Sequence, residues 1–213
     1  MNIRGSKNAL LFANGAVTEK EIHLIRDAQF DLIIAADGGV RHAISFGFTL
    51  DVVIGDLDSV SPASRKKLPE TRFIHRPSQD LNDLNKALIY CEAQGVTHLT
   101  LLGICGKRLD HALNNFSVIA RFDQTFHLTI YDEFSQIFIV RNEWQYSGKP
   151  GQTVSLIPIG NVRGVKTEGL KWVLNNEALN FGEREGCSNV IIANLVKIRI
   201  ISGLLVVFVI YSA

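Results

Sequence analysis

Short apolar runs and segments with helical spacing alternate along the first 135 residues of the chain. The apolar runs are rich in Val, Ile and Leu and are bounded by Gly, Asp or Pro, which is typical of buried strands. The predicted strands are Ala9–Ala13, Leu32–Ala36, Val52–Ile54, Arg72–His75, Thr97–Leu102 and His127–Tyr131. Because strands that alternate with helices form mostly parallel sheets, this pattern predicts a doubly wound α/β domain.

The intervening segments carry helix signals. Thr18 followed by Glu21 forms a capping box, and Ser61-Pro62 is a typical helix start. The clearest helix is predicted to begin at Asp80 and to end at Gly95, because apolar residues recur at helical spacing between them. Two further helices are predicted over 40–46 and 110–122.

The pattern changes near Ser135, after which no helical period of useful length occurs. The strand-like segments that follow are Gln136–Val140, Thr153–Ile157, Val162–Thr167, Lys197–Ile201 and Leu204–Ile210. We therefore predict an α/β domain over residues 1–143 and a smaller β-sandwich over 144–213. The last apolar run is shorter than the roughly 20 residues that span a membrane, which favours buried strands.

Composition narrows the function classes. The chain has 213 residues, 46% of them hydrophobic, and 22 basic side chains balance 21 acidic ones. This balance does not indicate a nucleic-acid-binding surface. Cys91, Cys105 and Cys187 are widely spaced and form no C-x-x-C pair, which fits a reducing compartment. We predict a cytoplasmic protein with neither nucleic-acid nor membrane partners.

Acidic turns follow two of the predicted strands. Asp37 follows the second strand, and Asp56 and Asp58 follow the third in the segment Gly55–Ser59. Parallel α/β sheets bind ligands outside the carboxyl ends of their strands. If the chain is extended here, Asp56 and Asp58 face the same way, and carboxylate oxygens suit Mg²⁺. The alternative, in which Asp56 makes the turn and Asp58 caps a helix, is about equally compatible with these residues alone.

Two further segments point to the same edge. Asp80 and Asp83 lie at the predicted helix start, where a cap and a favourable helix-dipole contact explain them better than ligand binding when they are taken alone. Their place at the same sheet edge as the other aspartates favours ligand binding. The loop Gly103–His111 joins a strand to a helix; its glycines let the backbone approach a phosphate, and Arg108 can fork onto phosphate oxygens. Because Asn114 and Asn115 add polar groups one turn later, we favour phosphate or nucleotide binding over a simple turn.

The second domain contains an indole among polar residues. Trp172 precedes several Asn and Glu residues, and Ser188 and Asn189 follow later. An indole with such neighbours can stack on a flat heteroaromatic ring. A core position for Trp172 is at least as compatible with the composition.

Taken together, the ordered motifs resemble the thiamine pyrophosphokinase family. The matching segments are Ala36–Gly39, Gly55–Ser59, Gln79–Asp83, Gly103–His111, Gly169–Trp172 and Ser188–Asn189. The resemblance spans roughly residues 9 to 190. The apolar segment Val190–Val196 departs from the polar turn expected after the Ser-Asn pair.

The resemblance implies an α/β nucleotide-binding domain followed by a β-sandwich, in a homodimer. It implies transfer of pyrophosphate from ATP to thiamine, with Mg²⁺ as cofactor. The implied metal ligands are Asp56, Asp58 and Asp83, with Asp37 beside them as a catalytic residue. The residues implied to border the nucleotide are Gln79, Arg108, Asp110 and His111. Those implied to form a thiamine pocket at the subunit interface are Trp172, Ser188 and Asn189.

The residue patterns are also compatible with two other functions. Gly55-Asp56 after a strand is also typical of metal-dependent phosphohydrolases, although these use histidine ligands and a Gly-Asn-His turn that this sequence lacks. A nucleotide-binding sensor without turnover is the third possibility, but it has less use for several acidic side chains at one edge.

Overall fold

The structure is a computed structural model that describes residues 6–211. The chain divides into two compact units between Glu133 and Phe134. The division precedes the predicted boundary at residue 143 because the strand Ser135–Val140 pairs with the last strand of the chain and so belongs to the second unit.

The first unit alternates strands and helices as predicted. Its strands are β1 Asn8–Phe12, β2 Leu32–Ala36, β3 Val52–Gly55, β4 Arg72–His75, β5 His98–Leu102 and β6 His127–Tyr131. Its helices are α1 Glu19–Ile25, α2 Val40–Ser45, α3 Pro62–Lys67, α4 Asp83–Ala93 and α5 Leu109–Phe122, and a short 3-10 turn spans Asp37–Gly39.

All pairings in this sheet are parallel, in the order β4-β3-β2-β1-β5-β6. The chain moves outward from β1 to β4 and then returns to the other side of β1 to form β5. The strand order therefore reverses between β1 and β5. In open parallel sheets, ligands bind outside the carboxyl ends of the strands at such a reversal.

The core of the first unit forms because the strands are apolar on both faces. Leu10, Phe12 and Val53 are fully buried, and Ile22 and Ile25 of α1 pack in the same cluster. Such continuous apolar strands are typical of parallel sheets that are covered on both faces by helices. The strands thus form a rigid base for the loops at their carboxyl ends.

The start of α1 is confirmed and the start of α4 is corrected. The Thr18 side chain accepts from the backbone of α1, and Glu21 accepts from the Thr18 backbone N–H, which completes the capping box. α4 begins at Asp83 rather than Asp80, because the Asn82 side chain accepts from the Asn85 backbone N–H at 2.9 Å. Asp80 instead lies in the exposed loop before the helix.

The second unit consists of strands. They are β7 Ser135–Val140, β8 Glu143–Ser147, β9 Thr153–Glu168, β10 Asn175–Asn180, β11 Gly186–Val190, β12 Leu195–Arg199 and β13 Ser202–Ile210. β9 is the central element, since it pairs antiparallel with β10, β11, β12 and β13 along different parts of its length.

The predicted strands over 153–157 and 162–167 are parts of this single long strand. Gly160 and Gly164 have φ values of 71° and 67°, which let β9 bend between its partners without ending. Three strands of this unit, β8, β10 and β11, have no counterpart in the sequence analysis. β10 and β11 are mostly polar and show no regular alternation, whereas β8 alternates polar and aromatic residues and is missed despite this signal.

The apolar segments of the second unit form its core. Ile191 and Val196, from the segment that departs from the family pattern, are fully buried together with Leu205 and Val207 of β13. The buried-strand interpretation of residues 204–210 is therefore confirmed. Within residues 6–211, no helix has both the length and the apolar character needed to cross a membrane.

We expect Asn82→Ala to lower the free energy of unfolding by about 1 kcal/mol, because the first turn of α4 loses its side-chain cap. Urea unfolding measures this change. Asp80→Ala is the matched control and should change stability by less than about 0.5 kcal/mol, since Asp80 is exposed and caps no helix. A larger loss for Asp80→Ala than for Asn82→Ala would contradict the assignment.

Candidate active site

A cleft lies where the strand order of the first unit reverses. The loop after β1 is fastened to the loop after β5 by hydrogen bonds from Gly15 N–H to Gly103 O and from Ala16 N–H to Cys105 O, both 2.6 Å. The cleft has a volume of about 270 Å³. Its lining combines backbone of these loops with polar side chains of α4 and α5, among them Asn82, Asp83, Arg108, His111 and Asn115.

The close contact of the two loops depends on glycine. A Cβ atom at Gly15 would overlap the carbonyl oxygens of Gly103 and Cys105. Gly103 and Gly106 have φ values of 71° and 90°, a left-handed conformation that other residues adopt at a cost. Gly103 and Gly106 are predicted to let the backbone approach a ligand. In the structure, they also allow the two loops to approach each other.

Three carboxylates meet beside this cleft. Asp37 follows β2 directly, and Asp56 and Asp58 follow β3. One oxygen from each lies within 4.8 Å of the others. The chain between Asp56 and Asp58 is not extended as expected, because Leu57 has a φ of 63° and turns the backbone. The alternative role of Asp58 as a helix cap is excluded, since Ser61 caps α3.

Asp37 is the buried member of the cluster. It is 3% exposed, and its Oδ1 has no hydrogen-bond partner among the described residues. Burial raises the pKa of this carboxyl above its ordinary value, and Asp83, Asp58 and Asp56 add to the increase, while a hydrogen bond with Ser59 opposes it. Its φ of 39° is also unusual for a residue other than glycine. A divalent cation would satisfy the free oxygen and offset most of the negative charge of the cluster.

Asp83 lies next to the cluster but has a protein partner. Its Oδ1 is 2.9 Å from Nζ of Lys86, whose side chain is 7% exposed. A Cβ atom at Gly55 would lie 2.8 Å from Asp37 Cβ and 3.0 Å from Asp83 Oδ1, so the glycine makes room for both aspartates. The assignment of Asp83 as a metal ligand stays a prediction.

The residues predicted to border the nucleotide differ in their surroundings: some line the cleft, and some are exposed on the surface. Arg108 forms a two-pronged ion pair with Asp110, at 2.6 Å and 3.1 Å, and this pairing lowers the pKa of Asp110. His111 lines the cleft. Gln79 is exposed, with Nε2 at 3.4 Å from Pro77 O, and Asn114 is exposed on α5. Their roles toward a nucleotide stay predictions.

Two more asparagines line the cleft. Asn115 is predicted together with Asn114 as a polar group near the nucleotide, whereas Asn14 is not predicted as a site residue. Asn115 donates to Ile104 O at 2.8 Å and accepts from Asn82 at 3.5 Å, so it joins α5 to α4 and to the loop after β5. Asn14 follows β1, and its side chain lies against Gly38. The signal available in the sequence for Asn14 is its position after a buried strand, which is the signal that identified Asp37.

In the second unit, Trp172 and Asn189 are locked together by their polar groups. Asn189 is 5% exposed, accepts from Trp172 N–H at 3.1 Å and donates to Trp172 O at 2.7 Å. The indole itself is 55% exposed, and Lys171 Nζ lies 4.7 Å from its ring centre. The core alternative for Trp172 is therefore wrong, and the ring is available to a ligand or partner.

Ser188 lies in a bulge of β11. Its φ is 58°, and its backbone N–H donates to Ser155 Oγ at 3.0 Å. The register shift between β11 and β9 falls between Gly186 and Asn189, which leaves the Ser188 side chain exposed beside the buried Asn189. The pocket role of this pair stays a prediction.

Two family models match the chain. The model described as thiamin pyrophosphokinase, catalytic domain, matches residues 24–131. The model described as thiamin pyrophosphokinase, vitamin B1 binding domain, matches residues 140–205. The chain belongs to the thiamin pyrophosphokinase family. The resemblance identified from the motifs is thereby confirmed.

Curated relatives agree with this assignment. A thiamine pyrophosphokinase of Oryza sativa subsp. japonica is 26% identical over 170 residues, which cover 73% of this chain and 64% of the relative. A thiamin pyrophosphokinase of Caenorhabditis elegans is 27% identical over 192 residues, which cover 81% of this chain and 76% of the relative. The chain thus spans slightly less than two thirds of the rice relative.

Solved structures share the fold. A thiamine pyrophosphokinase from Bacillus subtilis superposes with a TM-score of 0.84 at 20% identity, covering 97% of this chain and 100% of that one. A thiamin pyrophosphokinase from Candida albicans gives a TM-score of 0.85 at 18% identity, covering 97% and 90%. The predicted fold class, a parallel α/β unit followed by a β unit, is confirmed. The family favours a pyrophosphokinase over the phosphohydrolase and the sensor.

We expect Asp37→Asn to stabilise the metal-free protein at neutral pH, because it removes a buried charge from a cluster of like charges. The pKa of Asp37 is raised above 3.8, so the unfolded chain ionises first as the pH rises, and the wild type loses stability above that pH. The advantage of the variant should therefore grow as the pH rises above about 4, until Asp37 is ionised in the folded protein as well, in chelator-treated urea unfolding.

Mg²⁺ should reverse this order, since it stabilises the wild type and has little effect on Asp37→Asn. Asp27→Asn, which changes an exposed carboxylate, is the control and should behave as the wild type in both conditions. A variant that is less stable than the wild type at neutral pH without metal would argue against the strained cluster.

Proposed function

We propose that this member of the thiamin pyrophosphokinase family transfers pyrophosphate from ATP to the hydroxyl of thiamine. The hydroxyl oxygen forms a bond to the β-phosphorus as the bond from that phosphorus to the α-phosphate oxygen breaks. The products are thiamine diphosphate, AMP and the proton released by the hydroxyl. The observation that carries the proposal is the cluster of Asp37, Asp56 and Asp58 beside the cleft at the β1–β5 reversal.

The donor set fits Mg²⁺. Three carboxylate oxygens within 4.8 Å are hard ligands, and one of them is buried without a partner. We propose that Asp37, Asp56 and Asp58 hold the ion, with Asp83 beside them. This exchanges Asp37 and Asp83 relative to the set that the resemblance implies, because Asp83 is paired with Lys86. When bound, Mg²⁺ supplies charge neutralisation to the polyphosphate. Because pyrophosphate transfer needs positioning and electrostatic stabilisation more than covalent help, this site needs no nucleophilic side chain.

The cleft residues would orient ATP. Arg108 is paired with Asp110 in the free protein, and both side chains are exposed, so a phosphate group can take the place of the carboxylate at low cost. His111 lines the same cleft from the first turn of α5, and we propose Gln79 and Asn114 as further contacts at its rim. The helix start also favours a negatively charged ligand.

The second unit would bind thiamine through Trp172. Its exposed indole can stack on the heteroaromatic rings of thiamine, and the buried Asn189 holds the backbone at the indole in place. The exposed Ser188 adds a hydroxyl at the same site. The family model that matches this part of the chain, described as vitamin B1 binding, supports the proposal.

We also propose a homodimer with the thiamine site at the subunit interface. Trp172, Val173 and Ile192 are more than half exposed, and exposed apolar side chains in this density are typical of interaction surfaces. Light scattering on the purified protein tests the dimer directly.

The three cysteines are free thiols, which supports a cytoplasmic location.

We expect Asp56→Asn to lower turnover by at least about a hundredfold, because the metal site loses a charged ligand. The assay incubates protein with Mg²⁺, ATP and thiamine, and chromatography identifies the products. The proposal requires AMP and thiamine diphosphate in equal amounts from the wild type and from the Asp27→Asn control. ADP, free phosphate or thiamine-independent ATP consumption by the wild type would reject it.

We expect Trp172→Ala to raise the KM for thiamine about tenfold while the KM for ATP changes little, because the ring contacts the acceptor rather than the nucleotide. Steady-state kinetics with each substrate varied measures both constants. Phe181→Ala is the matched control, since Phe181 is also an exposed aromatic residue of the second unit. Unchanged thiamine kinetics in Trp172→Ala would remove the residue from the thiamine site.

A further inference from the structure

Two cations meet on one neutral oxygen at the rim of the cleft. Arg41 donates from Nη2 to Asn14 Oδ1 at 2.7 Å. Lys107 approaches the same oxygen with Nζ at 3.3 Å and donates to Asn14 O at 2.6 Å. The three residues come from the loop after β1, from α2 and from the loop after β5, so the tertiary fold alone brings them together.

This pair has no acidic counterpart in the part of the chain that the structure describes. Ion pairs of the first unit join Lys86 to Asp83 and Arg108 to Asp110, whereas within residues 6–211 neither Arg41 nor Lys107 takes part in one. Burial and the charge of Arg41 lower the pKa of Lys107. The free protein therefore holds two like charges together without compensation, whereas Arg108, next in sequence, has a carboxylate partner.

Arg41 and Lys107 are also accessible and lie close to the carboxylate cluster of Asp37, Asp56 and Asp58. Both side chains are exposed, and Lys107 and Asn14 line the cleft. A Cβ atom at Gly38 would lie 2.5 Å from Asn14 Oδ1, so the oxygen that holds the cations lies beside the residue that follows Asp37. The pair and the carboxylates thus lie on neighbouring strand ends of one sheet edge.

The loop that carries Asn14 is held in place by hydrogen bonds. His42 Nε2–H donates to Gly15 O at 2.7 Å, and burial lowers the pKa of this ring, which favours its neutral form. Gly15 in turn donates to Gly103 O. The loop that carries Asn14 is therefore fixed from both sides, and the positions of the two cations are fixed with it.

We propose that Arg41 and Lys107, held on Asn14, bind the phosphate groups of the nucleotide. A guanidinium fork and an ammonium group are the side chains best suited to phosphate oxygens, and a polyphosphate carries more negative charge than one divalent cation neutralises. This inference rests on the proposed function for the identity of the nucleotide. Arg41 lies outside the segments that matched the family, and Lys107 lies within Gly103–His111 but is given no role there by the resemblance.

The test is calorimetric binding of a ligand series without turnover: adenosine, AMP, Mg²⁺-ATP and inorganic triphosphate with Mg²⁺. Lys107→Met and Arg41→Met should each weaken Mg²⁺-ATP and triphosphate at least about tenfold. Adenosine affinity should stay within about twofold, because it carries no phosphate. Lys107→Arg should retain most of the triphosphate affinity, and Lys66→Met, which removes an exposed charge on α3, should match the wild type.

The outcomes separate this inference from the proposed function. Wild-type affinity for triphosphate in both Met variants, or an equal loss for adenosine and ATP, would overturn it. If the wild type binds ATP but forms no thiamine diphosphate, the proposed function fails and the ligand series still decides the role of the pair. Thermal unfolding shows whether each variant is folded. If Lys107→Met is unfolded, the binding data of Arg41→Met decide the test.

Discussion

The site is built around one unfavourable group, the buried carboxylate of Asp37. It has an unpartnered oxygen, a positive φ and two further carboxylates close by. An isolated buried charge is costly, and the cost rises with each like charge beside it. The surrounding sheet must therefore be stable enough to hold the arrangement. The fully buried apolar strands of the first unit provide that stability.

Close backbone packing at the ends of the strands makes this arrangement possible. Gly55 leaves room for Asp37 and Asp83, Gly39 lies against the backbone of Phe12, and Gly15 lies against the loop after β5. Any side chain at these positions would separate the strand ends from one another. The glycines at the carboxyl ends of β1, β2 and β3 are thus points of close contact that bring separate loops into one site.

The sequence was informative where a signal is local. The strands of the first unit, the capping box at Thr18 and the acidic turn at Asp56 and Asp58 depend on neighbouring residues, and the structure agrees with them. Asp37 could be placed at the correct edge, but its burial and its proximity to the other two depend on how β2 packs against β3. Asn82 competes with Asp80 for the cap of α4, and residue types alone do not decide between them.

The second unit was harder to predict for a related reason. Pro158 to Asn161 has the composition of a turn, yet β9 continues through it because its partners β10 and β13 hold the strand on both sides of the bend. β10 and β11 are polar and irregular in register, so their pairing with β9 rather than their sequence defines them. The role of Trp172 could not be chosen from composition, because exposure of a ring is a property of the folded chain.

Some charges of the first unit are paired within the protein, whereas others are not. Asp83 with Lys86 and Asp110 with Arg108 are neutralised within the protein. Within residues 6–211, the carboxylates of the Asp37 cluster form no ion pair with a cation and the pair on Asn14 forms none with an anion, although both sets lie at the same sheet edge. Magnesium and a polyphosphate, bound together as we propose, would supply the opposite charge to each set.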